Sequence, residues 1–260
     1  MRIITLTTDF GLTDPFVGVM KGVILSISPE STLVDLTHAI PPQDIVSGAL
    51  ALESAVDYFP SGTIHVAVVD PGVGSERRDI AVETDSAVYV GPDNGLFTLA
   101  IARQNLKRMV SVENTRYFLP EISATFHGRD IFAPVAAHLS TGVPLEAFGP
   151  SLNGIFALAL QEPMIQPELI RSEVLSTDHF GNLVTGITAV HLVDWNAEST
   201  RAKVAGLEAG KVHRTYSEVE PGSPLAYIGS GGRLEIGIRN GNAAQVFGAG
   251  KGTVIEVVCD

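Results

Sequence analysis

The sequence predicts two domains: an α/β domain with a largely parallel sheet over residues 1–150, then a smaller all-β domain of barrel or sandwich type over residues 169–260. Three observations support this prediction. Apolar β-type runs alternate with helical patterns in the first part, the stretch 151–168 is rich in proline without a clear amphipathic period, and short β-type runs separated by Gly, Asn and Ser turns follow it. With 45% apolar residues in 260, the chain has enough hydrophobic material for a core in each domain.

The first elements are predicted from hydrophobic spacing and from helix-boundary residues. Residues 3–7 form a short β-branched run that ends in a polar loop, which is typical of a buried strand. Residues 16–28 have apolar positions at helical spacing and stop before Pro29. A strand at 32–36 is followed by a Pro-Pro turn and a helix from about 44 to 58, for which Asp44 is a suitable N-cap.

Three further strands are predicted at 64–70, 79–85 and 87–93. Asp9, Asp70 and Asp93 each stand where a predicted strand ends. Functional groups gather at the carboxyl ends of strands in parallel α/β sheets. We therefore expect a common polar mouth at this edge, with ordinary turn-forming aspartates as the alternative.

Composition and charge exclude several classes of function. The formal net charge is −12 without a concentrated basic stretch, which disfavours a nucleic-acid partner. The sequence has no run of about 18 apolar residues, so we predict no membrane span, and the N-terminal residues lack a signal-peptide pattern. The single cysteine, Cys259, rules out an intramolecular disulfide and favours a reducing, cytoplasmic location. The seven histidines show no HExxH-like spacing, so we expect no metal.

The segment VVDPGVGSERR at 68–78 places a carboxylate at a strand end and returns arginines after a glycine-rich turn. Such a turn can fold either Arg77 or Arg78 over Asp70, and the simpler alternative is an ion pair that only staples the loop. The segment is not a phosphate-binding loop, because it has no Gly-Lys-Ser/Thr. In FHGRD at 126–130, His127 stands just before an apolar helix, where a structural role is the more common one for a lone histidine.

Two glycine-rich segments mark the second domain, DHFGN at 178–182 and GSGGRLEIGIRNGNAA at 229–244. Their amide and hydroxyl groups suit a planar ligand, and plain hairpin turns are the alternative. Tyr216 is either a stacking surface or a core residue.

Seven motifs occur in one order nearly from end to end of the chain. They are TDFGLTD (8–14), DLTHAIPPQD (35–44), VVDPGVGSERR (68–78), YVGPDNGLF (89–97), FHGRDIFAP (126–134), DHFGN (178–182) and GSGGRLEI (229–236). This ordered set resembles the S-adenosyl-L-methionine hydroxide adenosyltransferase family, whose relatives include the fluorinases. The resemblance implies an N-terminal α/β domain, a C-terminal β domain, and a homotrimer that binds its substrate between domains of neighbouring subunits.

The resemblance also implies a reaction, which is attack of water on the ribose 5′ carbon of S-adenosylmethionine to give adenosine and methionine. No cofactor is implied, since S-adenosylmethionine is the substrate. Asp70, Arg77 and His127 match the family's Asp-Arg-His set that holds and activates the water, with Arg78 as the alternative arginine. The acceptor of the water's proton stays open among the three, although histidine has the natural pKa for it.

Substrate-binding roles carry over by motif. Asp9 matches the carboxylate that grips the ribose hydroxyls. Positions near the methionine amino and carboxyl groups are Asp14, Asp178 and Ser230. Asn182 and Tyr216 match the amide that reads adenine and the ring that stacks on it, with Glu235 and the Ile238 backbone nearby.

Two departures from the fluorinases favour hydrolysis over halogenation. Fluorinases have a tyrosine where this chain has Asp70, and a halide-binding serine where it has Gly128. A buried carboxylate repels halide but accepts a proton from water. The alternatives are a halogenase on the same scaffold and a sensor that binds adenosine or S-adenosylmethionine without turnover.

Overall fold

A computed structural model describes residues 2–195 and 199–259 of the chain. The chain divides into two compact units, Met1–Leu158 and Ala159–Asp260. The segment 151–168, predicted as the linker, is shared between them: Ser151 bridges to Val110 in the first unit, while residues 164–166 form a strand of the second.

The first unit has an α/β fold, as predicted. In chain order its elements are β1 (Ile3–Thr8), α1 (Phe16–Ile27), β2 (Thr32–Thr37), α2 (Ile45–Ala55), β3 (Thr63–Val68), β4 (Asp79–Thr84), β5 (Ala87–Pro92), α3 (Thr98–Ile101), β6 (Leu106–Ser111) and α4 (Ala133–Ser140). The sheet order is β2-β1-β3-β5-β4-β6. Strands β2, β1, β3 and β5 pair in parallel, and β4 runs antiparallel to both its neighbours.

Helices cover both faces of this sheet, which explains the unbroken apolar character of β3. Every residue of β3 is buried. Alternate side chains point to opposite faces of a strand, so Val66 joins the core under α1 and α4, whereas Ala67 joins the core under α2 and α3. Helix α1 fits this arrangement because its buried residues Val17, Met20 and Ile24 lie on one side.

The predicted N-cap of the second helix is confirmed. The Asp44 carboxylate accepts a hydrogen bond from the Ser47 amide at 3.2 Å. Helix α2 ends at Ala55, and a 3-10 turn at Val56–Tyr58 continues it to the predicted end.

The second unit is a β-barrel. Its elements are β7 (Met164–Gln166), β8 (Leu169–Thr177), β9 (Leu183–Thr188), β10 (Thr200–Val204), β11 (Leu207–His213), β12 (Pro224–Ile228), β13 (Arg233–Ile238), α5 (Ala243–Phe247) and β14 (Val254–Cys259). Seven strands follow the order β14-β10-β11-β12-β13-β9-β8, and pairing of β14 with β8 closes the ring, while β7 adds to β8 outside it. Within residues 2–195 and 199–259, no helix is long and apolar enough to cross a membrane.

Candidate active site

The first unit contains a cavity of about 410 Å³ beside the carboxyl ends of β1 and β3. Pockets for small molecules have this size. The lining residues are Asp9, Phe10, Phe16, Pro42, Gln43, Val68, Asp70, Pro71, Val73, Thr125, Phe126, His127 and Gly128.

Asp70 follows β3 and is held by Arg77 across the glycine-rich turn. Arg77 Nε donates to both carboxylate oxygens of Asp70, at 3.0 and 2.9 Å, and Nη2 adds a second contact to Oδ2. Both side chains are largely buried, with 4% of Asp70 and 10% of Arg77 exposed. Of the two candidate arginines, the structure therefore places Arg77 over Asp70.

His127 completes the group from a different part of the chain. Its Nδ1 lies 3.0 Å from Nη2 of Arg77. A guanidinium only donates hydrogen bonds, so Nδ1 accepts and the proton of the neutral imidazole resides on Nε2. His127 directly precedes a π-helical turn at Gly128–Phe132, a distortion that is frequent at functional sites.

Gly74 explains how the arginine turn reaches the histidine loop. Its φ is +76°, and a β-carbon there would lie 2.4 Å from the carbonyl oxygen of Ala124. A side chain would therefore push the turn away from the loop that leads to His127.

Arg77 keeps its positive charge despite its burial. Desolvation opposes the charged guanidinium, but hydrogen bonds to Asp70 and the charges of Asp79 and Asp70 outweigh it and raise the pKa of Arg77.

Asp79, a contact that the sequence reasoning missed, lies on the other side of Arg77. It is the first residue of β4, and its Oδ1 accepts from Nη1 of Arg77 while its Oδ2 lies 3.6 Å from Nδ1 of His127. Burial raises its pKa, against the opposing effect of the Arg77 charge. The sequence did offer a signal for Asp79, which is an acid directly after the Arg-Arg pair and at the start of a strand.

Asp93 does not join the cavity, contrary to the expected common mouth of three acids. Its Oδ2 accepts from Arg78 Nε at 2.8 Å, and its Oδ1 accepts from the Phe156 amide at 2.6 Å. Arg78 also donates to the Gly154 carbonyl at 3.2 Å. The second arginine thus binds the segment 154–156 to the sheet.

Asp9 lines the cavity, whereas Asp14 lies outside its lining residues. The Asp9 Oδ2 accepts from the Gln43 amide at 2.7 Å, and Gln43 has a φ of +66°, an uncommon conformation for a residue with a side chain. Asp14 is exposed in the loop before α1. The structure therefore gives Asp9, but not Asp14, a place at the cavity wall.

Aromatic rings form an apolar wall of the cavity. Phe10, Phe16 and Phe126 contact one another edge to face, with centroid distances of 5.4 to 6.0 Å. Gly128 is closely surrounded, since a β-carbon there would lie 3.3 Å from Sδ of Met20 and 3.4 Å from ring carbons of Phe10 and Phe126.

In the second unit, Asp178 and Asn182 belong to one tight turn after β8. Asp178 Oδ1 accepts from the backbone amides of Phe180 and Asn182, at 2.9 and 2.8 Å, and Oδ2 accepts from Asn182 Nδ2 at 2.7 Å. These contacts match the hairpin-turn alternative, and they also fix the Asn182 amide, which is buried.

Tyr216 is linked to Glu235 through Tyr227, a residue that the sequence reasoning did not select. The Tyr216 hydroxyl donates to that of Tyr227, which donates to Glu235 Oε2 at 2.5 Å. Burial raises the pKa of Tyr216, Tyr227 and Glu235. Tyr216 is partly accessible, with an exposed fraction of 37%.

The other predicted residues of the second unit lie at the ends of β13. Ser230 is exposed in the turn before it, and Ile238 is its buried last residue. Among the described residues, no group of three or more His, Cys, Asp or Glu side chains is arranged to hold a metal ion.

Comparison with known proteins places these features in one family. Residues 4–149 match the SAM hydroxide adenosyltransferase N-terminal domain, and residues 172–256 match the C-terminal domain of the same family. The chain belongs to the SAM hydroxide adenosyltransferase family.

Relatives of this hydroxide adenosyltransferase chain include both hydrolases and halogenases. The (R)-S-adenosyl-L-methionine hydrolase of Thermus thermophilus is 42% identical over 99% of this chain and 100% of that protein. A fluorinase of Nocardia brasiliensis is 26% identical, over 98% and 96%. The crystal structure of a conserved protein of Thermotoga maritima superposes with a TM-score of 0.92 at 35% identity, covering 98% of this chain and 99% of that one.

Proposed function

We propose that this protein hydrolyses S-adenosyl-L-methionine to adenosine and L-methionine. The observation that carries the proposal is the hydrogen-bonded group of Asp70, Arg77 and His127, whose aspartate and histidine line the cavity. The higher identity to the Thermus hydrolase than to the fluorinase supports the same choice. Because that relative is named for the (R) epimer, we include (R)-S-adenosyl-L-methionine as the preferred substrate.

In the proposed reaction, a water oxygen forms a bond to the ribose 5′ carbon while the bond from that carbon to sulfur breaks. The electron pair of the broken bond stays on sulfur, which leaves as neutral methionine, so the leaving group needs no acid. The enzyme must instead align a partly desolvated water and accept one of its protons. Asp70 and His127 face the cavity for this task, and Arg77 joins them.

The further substrate roles are proposals of the same kind. Asp9 binds the ribose hydroxyls, and Asp14, Asp178 and Ser230 bind the methionine end. Asn182 and the partly exposed Tyr216 bind adenine, with Glu235 and the Ile238 backbone beside them. The wall of Phe10, Phe16 and Phe126 supplies an apolar surface that excludes bulk water.

The residues at positions 128 and 70 support hydrolysis over halogenation. Gly128 offers no hydroxyl for a halide, and a serine there would require Met20, Phe10 and Phe126 to shift by a few tenths of an ångström. Asp70 adds a negative charge that disfavours a halide beside it.

Homotrimer formation, a cytoplasmic location and the absence of nucleic-acid, membrane and cofactor partners belong to the proposal as well. The exposed apolar side chains at and before α1, Leu12, Phe16, Val19 and Leu25, favour a surface covered by another copy of the chain.

The test is product analysis with the purified (R) and (S) epimers, each with and without fluoride or chloride. We expect adenosine and methionine in every case, at the higher rate from the (R) epimer. A 5′-halo-adenosine would contradict hydrolysis. If wild type and Asp70→Ala both bind S-adenosylmethionine and neither releases adenosine, the protein is a sensor.

A further inference from the structure

Asp79 contacts the water-activating group from the side opposite Asp70. Arg77 is held between the two carboxylates, with Nε and Nη2 on Asp70 and Nη1 on Asp79. The Asp79 side chain is 12% exposed, and Asp79 is not among the residues lining the cavity. Asp79 therefore does not touch a substrate in the cavity, and it acts on the reaction through the neighbouring groups of the cluster.

The charges of the cluster Asp70, Arg77, Asp79 and His127 give this contact a consequence. With both carboxylates ionised, Arg77 charged and His127 neutral, the cluster has one net negative charge. Accepting a proton from water makes it neutral. Without the Asp79 charge, the same proton would make a largely buried cluster net positive beside a cationic sulfonium substrate, which is costly at low dielectric.

We propose that Asp79 is a positioning residue for hydrolysis, which holds Arg77 across Asp70 and His127 and supplies the negative charge that lets the cluster take the water's proton. The inference rests on the proposed function. It does not depend on which of Asp70 and His127 takes the proton, since Asp79 lies within the same ion cluster as both.

The decisive variant is Asp79→Asn, which keeps the shape and an oxygen acceptor for Arg77 but removes the charge. We expect kcat for adenosine formation to fall by about tenfold or more, because the charge acts on proton transfer in the transition state. KM should stay within about threefold, because Asp79 does not reach the cavity. Asp79→Glu, which restores the charge, should recover at least about a fifth of the wild-type kcat.

The matched control is Asp57→Asn, the same change in charge at a residue whose side chain is 55% exposed. It should leave kcat and KM unchanged. A purely structural Asp79 would predict that the Asn variant keeps wild-type kcat, or that the Glu variant is as poor as Asn. Either result, or a rise in KM equal to the fall in kcat, overturns the inference.

Circular dichroism separates misfolding from lost chemistry. If Asp79→Asn does not fold, Asp79→Glu decides alone, and a kcat below about a fifth of wild type contradicts the charge role. Failure of wild type to release adenosine would remove the proposed function and this inference together. Wild-type turnover with an equally active Asn variant would remove only the inference.

Discussion

Two acid–arginine pairs at neighbouring strand ends look alike in sequence and differ in the structure. Asp70 follows β3 and binds Arg77, whereas Asp93 follows β5 and binds the next residue, Arg78. The Asp70 pair borders the cavity and reaches His127. The Asp93 pair instead binds backbone groups of the segment 154–156.

The difference shows that the role of each ion pair depends on the further group that it contacts. Arg77 and Arg78 directly precede β4, and their side chains bind different acids, so adjacent arginines serve different sites. Contact with His127 and with the cavity favours a chemical role for the Asp70 pair. The Asp93 pair contacts backbone groups and therefore has a structural role.

Replacing each arginine by glutamine should give the largest difference in kcat between the two pairs. We expect Arg77→Gln to lower kcat by about a hundredfold or more, because it removes the charge that joins Asp70 to His127. Arg78→Gln should keep kcat within about threefold of wild type. Steady-state adenosine release measures both, and equal losses in the two variants would mean that the distinction is wrong.

Acidic pH should lower the folding stability of the first unit. His65 on β3 is fully buried, its Nδ1 bonds to Thr5 Oγ1 at 2.8 Å, and burial lowers its pKa to about 4 from an ordinary 6.5. The unfolded chain therefore binds a proton that the folded chain does not, and stability falls as the pH drops from about 6.5 to about 4. The full effect is about 3 kcal/mol.

Denaturant unfolding at several pH values measures this effect, with His65→Gln as the matched variant. The variant should lose less stability than wild type between pH 6.5 and 4. Parallel pH curves for the two proteins would show that another group is responsible.

Removing the charge of the structural acid should lower stability and spare turnover. Asp93→Asn weakens the contacts to Arg78 and to the Phe156 amide, and we expect it to cost about 2 kcal/mol of unfolding free energy. Arg78 is 43% exposed, so solvent screens part of that pair. Thermal unfolding together with an activity assay checks the split, and a variant of wild-type stability with little activity would reverse the assignment.

The smallest effect is expected in the second unit, where Glu235 accepts a hydrogen bond from a tyrosine instead of an arginine. Tyr227→Phe breaks the hydrogen-bonded chain from Tyr216 to Glu235. We expect KM to rise by about threefold with kcat nearly unchanged, because the ring that we propose to bind adenine loses its orientation but water activation does not change. Tyr58→Phe, at a ring that is 79% exposed, is the control and should leave both constants unchanged.

The sequence predicted elements whose signal is local. The run at β1, the spacing of α1 and the Asp44 cap each depend on neighbouring residues, and the structure confirms them. Strand β6 was not predicted, because its first residues, such as Lys107 and Arg108, are exposed at the sheet edge and show no apolar run.

The site was predictable only in part, because only part of its signal is local in sequence. The motif order suggested Asp70, Arg77 and His127, but local pattern could not decide between Arg77 and Arg78. That choice depends on the close approach of Gly74 to Ala124, a contact between segments 50 residues apart that only the fold creates. Asp79 was missed although Arg77 lies only two residues away, because its second contact, to His127, is tertiary. Tyr227 was missed because its hydroxyl partners, Tyr216 and Glu235, are brought to it by the fold.

The origin of the oxygen in the product tests the central claim most directly. Turnover of (R)-S-adenosyl-L-methionine in water enriched in the heavy oxygen isotope, followed by mass spectrometry, should place one labelled oxygen on the 5′ position of adenosine and none in methionine. The label should appear with wild type, and adenosine formation should drop sharply in His127→Ala while the folded variant still binds substrate. Adenosine without label at its 5′ oxygen, or unchanged turnover in His127→Ala, would contradict water activation by Asp70, Arg77 and His127.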